Sequence, residues 1–269
     1  MKIIGFLGRK QSGKNTSSNI IHGYELMRYN MVRDFKINED GKLIVLTANA
    51  DGEFDWGIFD ITRKDDQFIS WAHINMWPHI KNYAFADRLK EIAISMFDIP
   101  RELAYGTDEQ KNTIVPHLLW ENMPGVVTPE SKGNIQSKLN AEQLNIILHD
   151  SGPMTIREFL QFFGSEIMRK MWEPIWIHSL IKQIQEEKSE LAIITDVRFV
   201  NEAQAIKEAG GIIIKLNRKK KTKDTHVSEE EVDRVPSELI DYQIMNNKKN
   251  YTVSDLQQEI KNIYDNIVL

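Results

Sequence analysis

Ile3-Ile4-Gly5-Phe6-Leu7 is a short apolar run that leads straight into a glycine-containing loop, the pattern of a central strand buried on both faces. Beyond the loop, Ile20, Ile21, Tyr24 and Met27 recur at helical spacing, which predicts a helix from near Gly13. From about Asp34 to Trp77 the character changes. Leu43-Ile44-Val45-Leu46 and Gly57-Ile58-Phe59-Asp60-Ile61 alternate with the turn dipeptides Asp40-Gly41 and Asp51-Gly52, so residues 34–77 read as hairpin material inserted into the main architecture. Tyr83-Ala84-Phe85 reads as a strand end and Ala86 to Phe97 as a helix. The stretch 105–153 has several prolines and glycines and weak periodicity, which predicts loop with short helices.

Thr155-Ile156-Arg157-Glu158 has the form of a capping box and opens a further helix. Ile156, Leu160, Phe163 and Ile167 give it an apolar stripe, and Arg157, Gln161 and Ser165 an adjoining polar row. Leu191 to Thr195 is a second buried-strand run, ending in Asp196. A helix from about Asn201 to Ala209 stops at Gly210-Gly211. Ile212 to Leu216 and Tyr242 to Met245 read as strands, joined by a charged connection over 218–235, and Val253 to Ile267 as a terminal helix. Strands alternating with helices imply a mostly parallel sheet with helices on both faces.

Composition narrows the class. The 269 residues are 41% apolar and 27% charged, with a net charge of -5, as in ordinary globular proteins. Mild acidity argues against a surface devoted to nucleic acid. With no cysteine, thiolate catalysis and cysteine-ligated metals are excluded, and a cytoplasmic location is expected. No apolar run approaches the roughly 18 residues of a membrane span.

Gly8-Arg9-Lys10-Gln11-Ser12-Gly13-Lys14-Asn15-Thr16 is the strongest chemical signal. A Walker A loop needs glycines so that backbone N–H groups can turn inward around phosphate oxygens. It also needs a lysine for the β- and γ-phosphates and a hydroxyl for Mg²⁺. The spacing and the strand–loop–helix context both match. Together with the α/β pattern they predict a three-layer P-loop NTPase fold, with a β-rich insert and a lid at 218–235. One position departs: Asn15 stands where serine or threonine is usual. Either Thr16 supplies the metal-facing hydroxyl or Asn15 reaches a metal-bound water.

Asp196 at a strand end suits the Mg²⁺ shell, and Arg198 suits a phosphate clamp. A helix-capping aspartate with a paired arginine is the plainer alternative. Arg157 and Gln161, one turn apart, suit an acceptor phosphate and a nucleobase edge, or form a solvated flank. The run Arg218 to Lys223 reads as a solvated loop, a nucleic-acid patch or a phosphate-closing lid. The six tryptophans are expected in the core or the insert, unless one stacks on a base.

Four blocks together resemble the phage-type deoxynucleoside monophosphate kinases: residues 8–16, Phe-Ala-Asp-Arg-Leu-Lys-Glu at 85–91, Arg-Glu-Phe-Leu-Gln-Phe-Phe-Gly-Ser-Glu at 157–166, and Thr-Asp-Val-Arg-Phe-Val-Asn-Glu-Ala at 195–203. The segment 224–229 is similar to the family's post-lid stretch. The resemblance implies one kinase domain over 1–269, with 105–153 on the acceptor side. It implies transfer of the ATP γ-phosphoryl group to a deoxynucleoside monophosphate, with ADP as the second product. Gly8, Lys10, Ser12, Gly13, Lys14, Asn15, Thr16 and Arg218 would hold ATP, and Thr16 and Asp196 would hold Mg²⁺. Asp87, Lys90, Arg157, Gln161, Trp172, Arg198 and Glu202 would bind the acceptor, with Lys14, Arg157, Asp196 and Arg198 acting in catalysis. Small-molecule nucleotides are the implied partners, without membrane or nucleic acid; a homodimer stays open. The rivals are a P-loop kinase for another acceptor, such as a modified pyrimidine nucleotide or a dephospho-coenzyme A-like metabolite, and a nucleotide-binding switch protein.

Overall fold

A computed structural model describes residues 1–48, 51–128, 146–218, 227–246 and 251–268. The chain divides into two compact units, one formed by Met1–Ala84 with Leu180–Leu269 and the other by Phe85–Ser179.

The first unit is built on a five-stranded sheet. Its order is β12-β11-β1-β10-β5, from Tyr242–Met245, Ile212–Asn217, Lys2–Gly8, Leu191–Val197 and Ile80–Tyr83. Every pairing in it is parallel. β1 is buried from Ile3 to Gly8, as its unbroken apolar run requires of a strand covered on both faces. The helix α1 (Lys14–Arg28) packs over one face, where Ile20, Ile21 and Leu26 meet Ile4 and Phe6, and Leu256 and Ile260 of the C-terminal helix join the same cluster. On the other face Gly5 lies under the side chains of Ile206 and Ile213, and a Cβ there would sit 2.9 Å and 2.8 Å from their terminal carbons. The result is the three-layer α/β arrangement expected of a P-loop kinase, with a parallel central sheet.

Residues 34–77 form an antiparallel sheet of β2 (Asp34–Ile37), β3 (Leu43–Ala48) and β4 (Phe54–Ile58). Hairpin spacing does not predict α2 (Asp66–Asn75), the helix that completes the segment. Its start is a local signal: the Asp65 side chain caps the helix by accepting from the Phe68 N–H at 3.1 Å. Phe35, Leu43, Val45, Phe68 and Ala72 join the same buried cluster as Ile4 and Phe6, so the insert's inner face is core.

The second unit has its own core of Ala93, Ile99, Val115, Met154, Ile156, Phe159 and Phe162. It holds α3 (Phe85–Phe97), α4 (Arg101–Ala104), β6 (Ile114–Leu119), β7 (Val126–Val127), β8 (Ile147–Leu148), β9 (Pro153–Thr155) and α5 (Ile156–Gln161). Short helices alone do not describe 105–153, because β6 pairs antiparallel with β9 and β7 pairs with β8. Irregular register between Val115 and Leu119 erases the alternation that would reveal β6 in sequence. α5 begins with both halves of the predicted capping box. From Phe162 to Arg169 it continues as π-helix; Ile156 of the predicted stripe is buried and Leu160, Phe163 and Ile167 pack against the core, with Phe159 and Phe162 buried beside them.

α6 (Ile175–Glu187), α7 (Val200–Glu208), α8 (Val227–Arg234) and α9 (Val253–Val268) complete the helices described. In the last of these, the Tyr264 hydroxyl donates to buried Glu25 of α1 at 2.5 Å, which ties α9 to the helix behind the loop. The lid run 219–223, the segment 224–226 and residues 129–145 of the acceptor-side region lie outside the described residues, as do the side chains of 227–230.

Candidate active site

The loop 8–16 joins β1 to α1 at the carboxyl end of the sheet. β1 and β10 are neighbours whose onward connections lead to opposite sides of the sheet, the position at which open α/β sheets bind ligands. Each glycine has its own reason. A Cβ at Gly8 would lie 2.5 Å from Ser12 Oγ and 2.9 Å from the Leu216 carbonyl, so only glycine lets the chain pass. Gly13 has space around it but a φ of 99°, which a side chain would strain. Gln11 shares the left-handed region at φ 59°.

α1 carries no acidic residue in its first turn and no side-chain cap at Gly13. Its leading N–H groups have no helical partners, so the sequence leaves them to an anion and to the positive end of the helix dipole. Lys14 Nζ donates to the carbonyls of Gly8 and Arg9 at 2.5 and 2.6 Å, and the residue is 8% exposed. Arg218 Nη1 donates to the Gln11 carbonyl at 3.0 Å, and Asn246 Nδ2 to the Ser12 carbonyl at 2.6 Å. The loop is therefore pinned from the strand β11 side and from beyond β12.

A cavity of about 560 Å³ opens over this loop. Lys10, Ser12, Gly13, Lys14, Asn15, Thr16, Asp196, Arg198 and Arg218, all anticipated from sequence, line it. Gln11, Asp40 and Thr195 line it as well. Four cationic side chains against two carboxylates make it a site for a polyanion. Ser12 is 1% exposed, and its Oγ has no hydrogen-bond partner among the described residues, a buried polar group left for a ligand to satisfy.

Asp196 is the penultimate residue of β10, and Phe199 is the N-cap of the helix that comes after it. Glu202, which is 5% exposed, accepts from the Arg198 and Phe199 N–H groups at 2.8 and 3.1 Å. In this structure Glu202 fixes the turn that carries Arg198.

The remaining predicted residues belong to the second unit. Arg157 Nη2 donates to Asp108 Oδ1 at 2.9 Å, and its Nε to Asn112 Oδ1 at 3.1 Å. Gln161 lies one turn later at the end of α5, exposed. Lys90 lies 3.8 Å from Asp87 and 4.5 Å from the centre of the Tyr105 ring. The Tyr105 hydroxyl donates to Glu91 Oε1 at 2.8 Å, and burial together with nearby Asp87 and Glu91 pushes its pKa up. Trp172 is 47% exposed, beside His178, whereas Trp120 and Trp176 are core residues.

Asp40, Asp108 and Asn112 escaped the sequence reading. Asp40-Gly41 signals only a turn, and nothing in the weakly periodic 105–153 stretch marks Asp108 or Asn112 as partners of Arg157. Among the described residues no group of three or more His, Asp or Glu is placed to hold a metal on its own, and no helix is long and apolar enough to cross a membrane.

A model of deoxynucleotide monophosphate kinases matches residues 73–260 of this chain. The chain belongs to that family. It is an enzyme, a phosphotransferase acting on deoxynucleoside monophosphates with a nucleotide as phosphoryl donor. The match takes in the segments carrying Asp87, Arg157, Asp196 and Arg218, and leaves the loop 8–16 outside it. A protein of Acanthamoeba polyphaga mimivirus, provisionally named a deoxynucleotide monophosphate kinase, is 28% identical over 199 residues, covering 68% of this chain and 82% of its own length. The deoxynucleoside-5'-monophosphate kinase of Escherichia phage T5 is 29% identical over 118 residues, covering 40% of this chain and 45% of its own.

Proposed function

We propose that the cavity over the loop 8–16 takes the triphosphate of ATP together with Mg²⁺, and that the second unit supplies the grip on the acceptor. The observation that carries the donor assignment is the unpaired, buried Ser12 hydroxyl in a cavity lined by Lys10, Lys14, Arg198 and Arg218. Lys14 and the N–H groups at the start of α1 hold the β- and γ-phosphates. Asp196 and Thr16 provide oxygens of the kind Mg²⁺ takes, one or two from the protein with phosphates and waters for the rest. Charge neutralisation at the transferring phosphoryl is what the metal supplies when bound.

Arg157 binds the acceptor phosphate, and Gln161 and Trp172 meet its base, while Arg198 lines the cavity over the loop. Glu202 acts through Arg198, by fixing its backbone. Asp87 and Lys90 complete the acceptor side, Lys90 held over the Tyr105 ring. No covalent intermediate is needed. In-line positioning and pre-set positive charge do the catalysis.

The test is a panel of deoxynucleoside monophosphates offered with ATP and Mg²⁺, monitoring both ADP release and the phosphorylated acceptor. A diphosphate formed in step with ADP is expected for at least one base. ADP released without a phosphorylated acceptor, or activity confined to a non-nucleotide acceptor, overturns the reading.

A further inference from the structure

We infer that Asp40, on the turn between β2 and β3, supplies a carboxylate to the metal side of the phosphate cavity, in place of the hydroxyl that Asn15 lacks. The inference rests on the ATP–Mg²⁺ reading of that cavity and adds a residue far from the loop in sequence.

Three observations converge on the turn. First, Asp40 lines the same cavity as Asn15, Thr16 and Asp196. Second, the turn is fastened to α1. Asn19 Nδ2 donates to the Gly41 carbonyl at 2.8 Å, and a Cβ built on Gly41 would sit 2.2 Å from Thr16 Oγ1. Gly41, at φ 77°, is thus required both by its conformation and by its packing on Thr16. Third, the turn is internally tied, with Gly41 N–H donating to the Asn38 carbonyl at 2.9 Å and Lys42 N–H to Asn38 Oδ1 at 2.8 Å. Phe35 and Leu43 on either side are buried, so the turn's position is set by the core.

This packing bears on the choice between Asn15 and Thr16. The residue directly after the P-loop lysine is the one whose hydroxyl ordinarily meets Mg²⁺. Here it is an amide, and the next hydroxyl, on Thr16, lies against Gly41 of the same turn, so Thr16 and Asp40 reach the cavity together. An anionic oxygen from Asp40 beside them restores a hard ligand, for the metal or for one of its waters.

The charge of Asp40 yields a diagnostic sign. Without metal, a carboxylate in a phosphate cavity repels the nucleotide; with metal, it helps hold the complex. A residue that merely shaped the loop would move both affinities the same way. The experiment titrates a non-hydrolysable ATP analogue by calorimetry, in EDTA and in Mg²⁺, and titrates Mn²⁺ into the enzyme–analogue complex by electron paramagnetic resonance. Asp40→Asn is expected to weaken Mn²⁺ binding by about tenfold, while leaving metal-free analogue affinity unchanged or tighter. Asp40→Glu should keep most of the metal affinity, and Glu39→Gln, next door and exposed, should match the wild type.

A change of less than about twofold in Mn²⁺ affinity for Asp40→Asn, or parallel losses in EDTA and Mg²⁺, overturns the assignment. If the wild-type complex itself takes up no Mn²⁺, the ATP–Mg²⁺ reading fails first and this inference falls with it. Loss in Asp40→Asn alone, with wild-type binding intact, supports both.

Discussion

The loop around Lys14 and the helix carrying Arg157 hold their cations by opposite means. Lys14 is buried, bonded to main-chain carbonyls of its own loop, on a strand–loop–helix unit packed into a continuous core. Arg157 is more than a third exposed and is held by side chains, an Asp108 carboxylate that is itself mostly in solvent and the Asn112 amide. The main chain of the loop is set by the strand before it and the helix after it. The side-chain arrangement costs little to exchange, since an exposed ion pair contributes only about 0–1 kcal/mol. In the proposed function an incoming phosphate replaces Asp108 as the partner of Arg157 through a stronger bidentate contact. On that proposal the donor side is pre-formed and the acceptor side adjustable.

That contrast can be broken experimentally. Lys14→Ala should lower kcat by about 10³-fold, about 4 kcal/mol in the transition state, and steady-state ADP release with a deoxynucleoside monophosphate reads it. Arg157→Ala should lower kcat/KM for the acceptor by about 10²-fold, about 3 kcal/mol, with ATP-analogue affinity unchanged. The same variant should unfold in urea within about 1 kcal/mol of wild type. A large stability loss would mean that Arg157 is a structural strut and the contrast is wrong.

The next effect concerns the platform under the loop. His22 on α1 is fully buried, with Nδ1 2.9 Å from the Ser18 carbonyl, and desolvation lowers its pKa from 6.5 to about 4. The folded state thus binds this proton less readily than the unfolded chain. Its contribution is complete above pH 6.5 and is lost as pH falls toward 4, by about 2–3 kcal/mol at pH 4.5. Urea unfolding at pH 7.5 and 4.5, compared between wild type and His22→Gln, isolates that share; parallel losses in the two proteins would discard it. The smallest effect is in the second unit. A Cβ at Gly164 would lie 2.8 Å from Leu89 Cδ2, an end of a flexible side chain. Gly164→Ala should therefore cost about 1–2 kcal/mol, while leaving analogue binding at the cradle as it is.

How much of the molecule is legible in its sequence differs by region for the same physical reason. β1 and the first four residues of β10 are buried on both faces, so each needs an apolar run, and β11 opens with three isoleucines; all three strands stand out in sequence. The Walker loop is contiguous, and its glycines answer to local constraints: φ at Gly13, close approach at Gly8. The capping box at Thr155 is likewise a four-residue signal and is present as read. β6 was not legible, because a register irregularity breaks its alternation. The π-helical turn after Gln161 was not legible either, since it replaces the helical period from which the stripe was counted. Glu202 was picked out by resemblance to the kinase family; its hydrogen bonds to the Arg198 and Phe199 backbone appear only in the folded turn.

Short-range pattern, then, was determined by the sequence alone: a Walker-type loop at 8–16, a strand ending in Asp196, a capped helix presenting Arg157 and Gln161, and the resemblance to the kinase family that the four blocks carry. Which residues meet across the fold was decided by tertiary structure. Asp40 stands 24 residues beyond Thr16 by their numbering and lines the same cavity only because Phe35 and Leu43 bury the hairpin beside α1 and Gly41 has no side chain to hold it off. Local motifs are written in adjacent residues because backbone geometry enforces them. Contacts between distant segments depend on packing, and no local pattern encodes them.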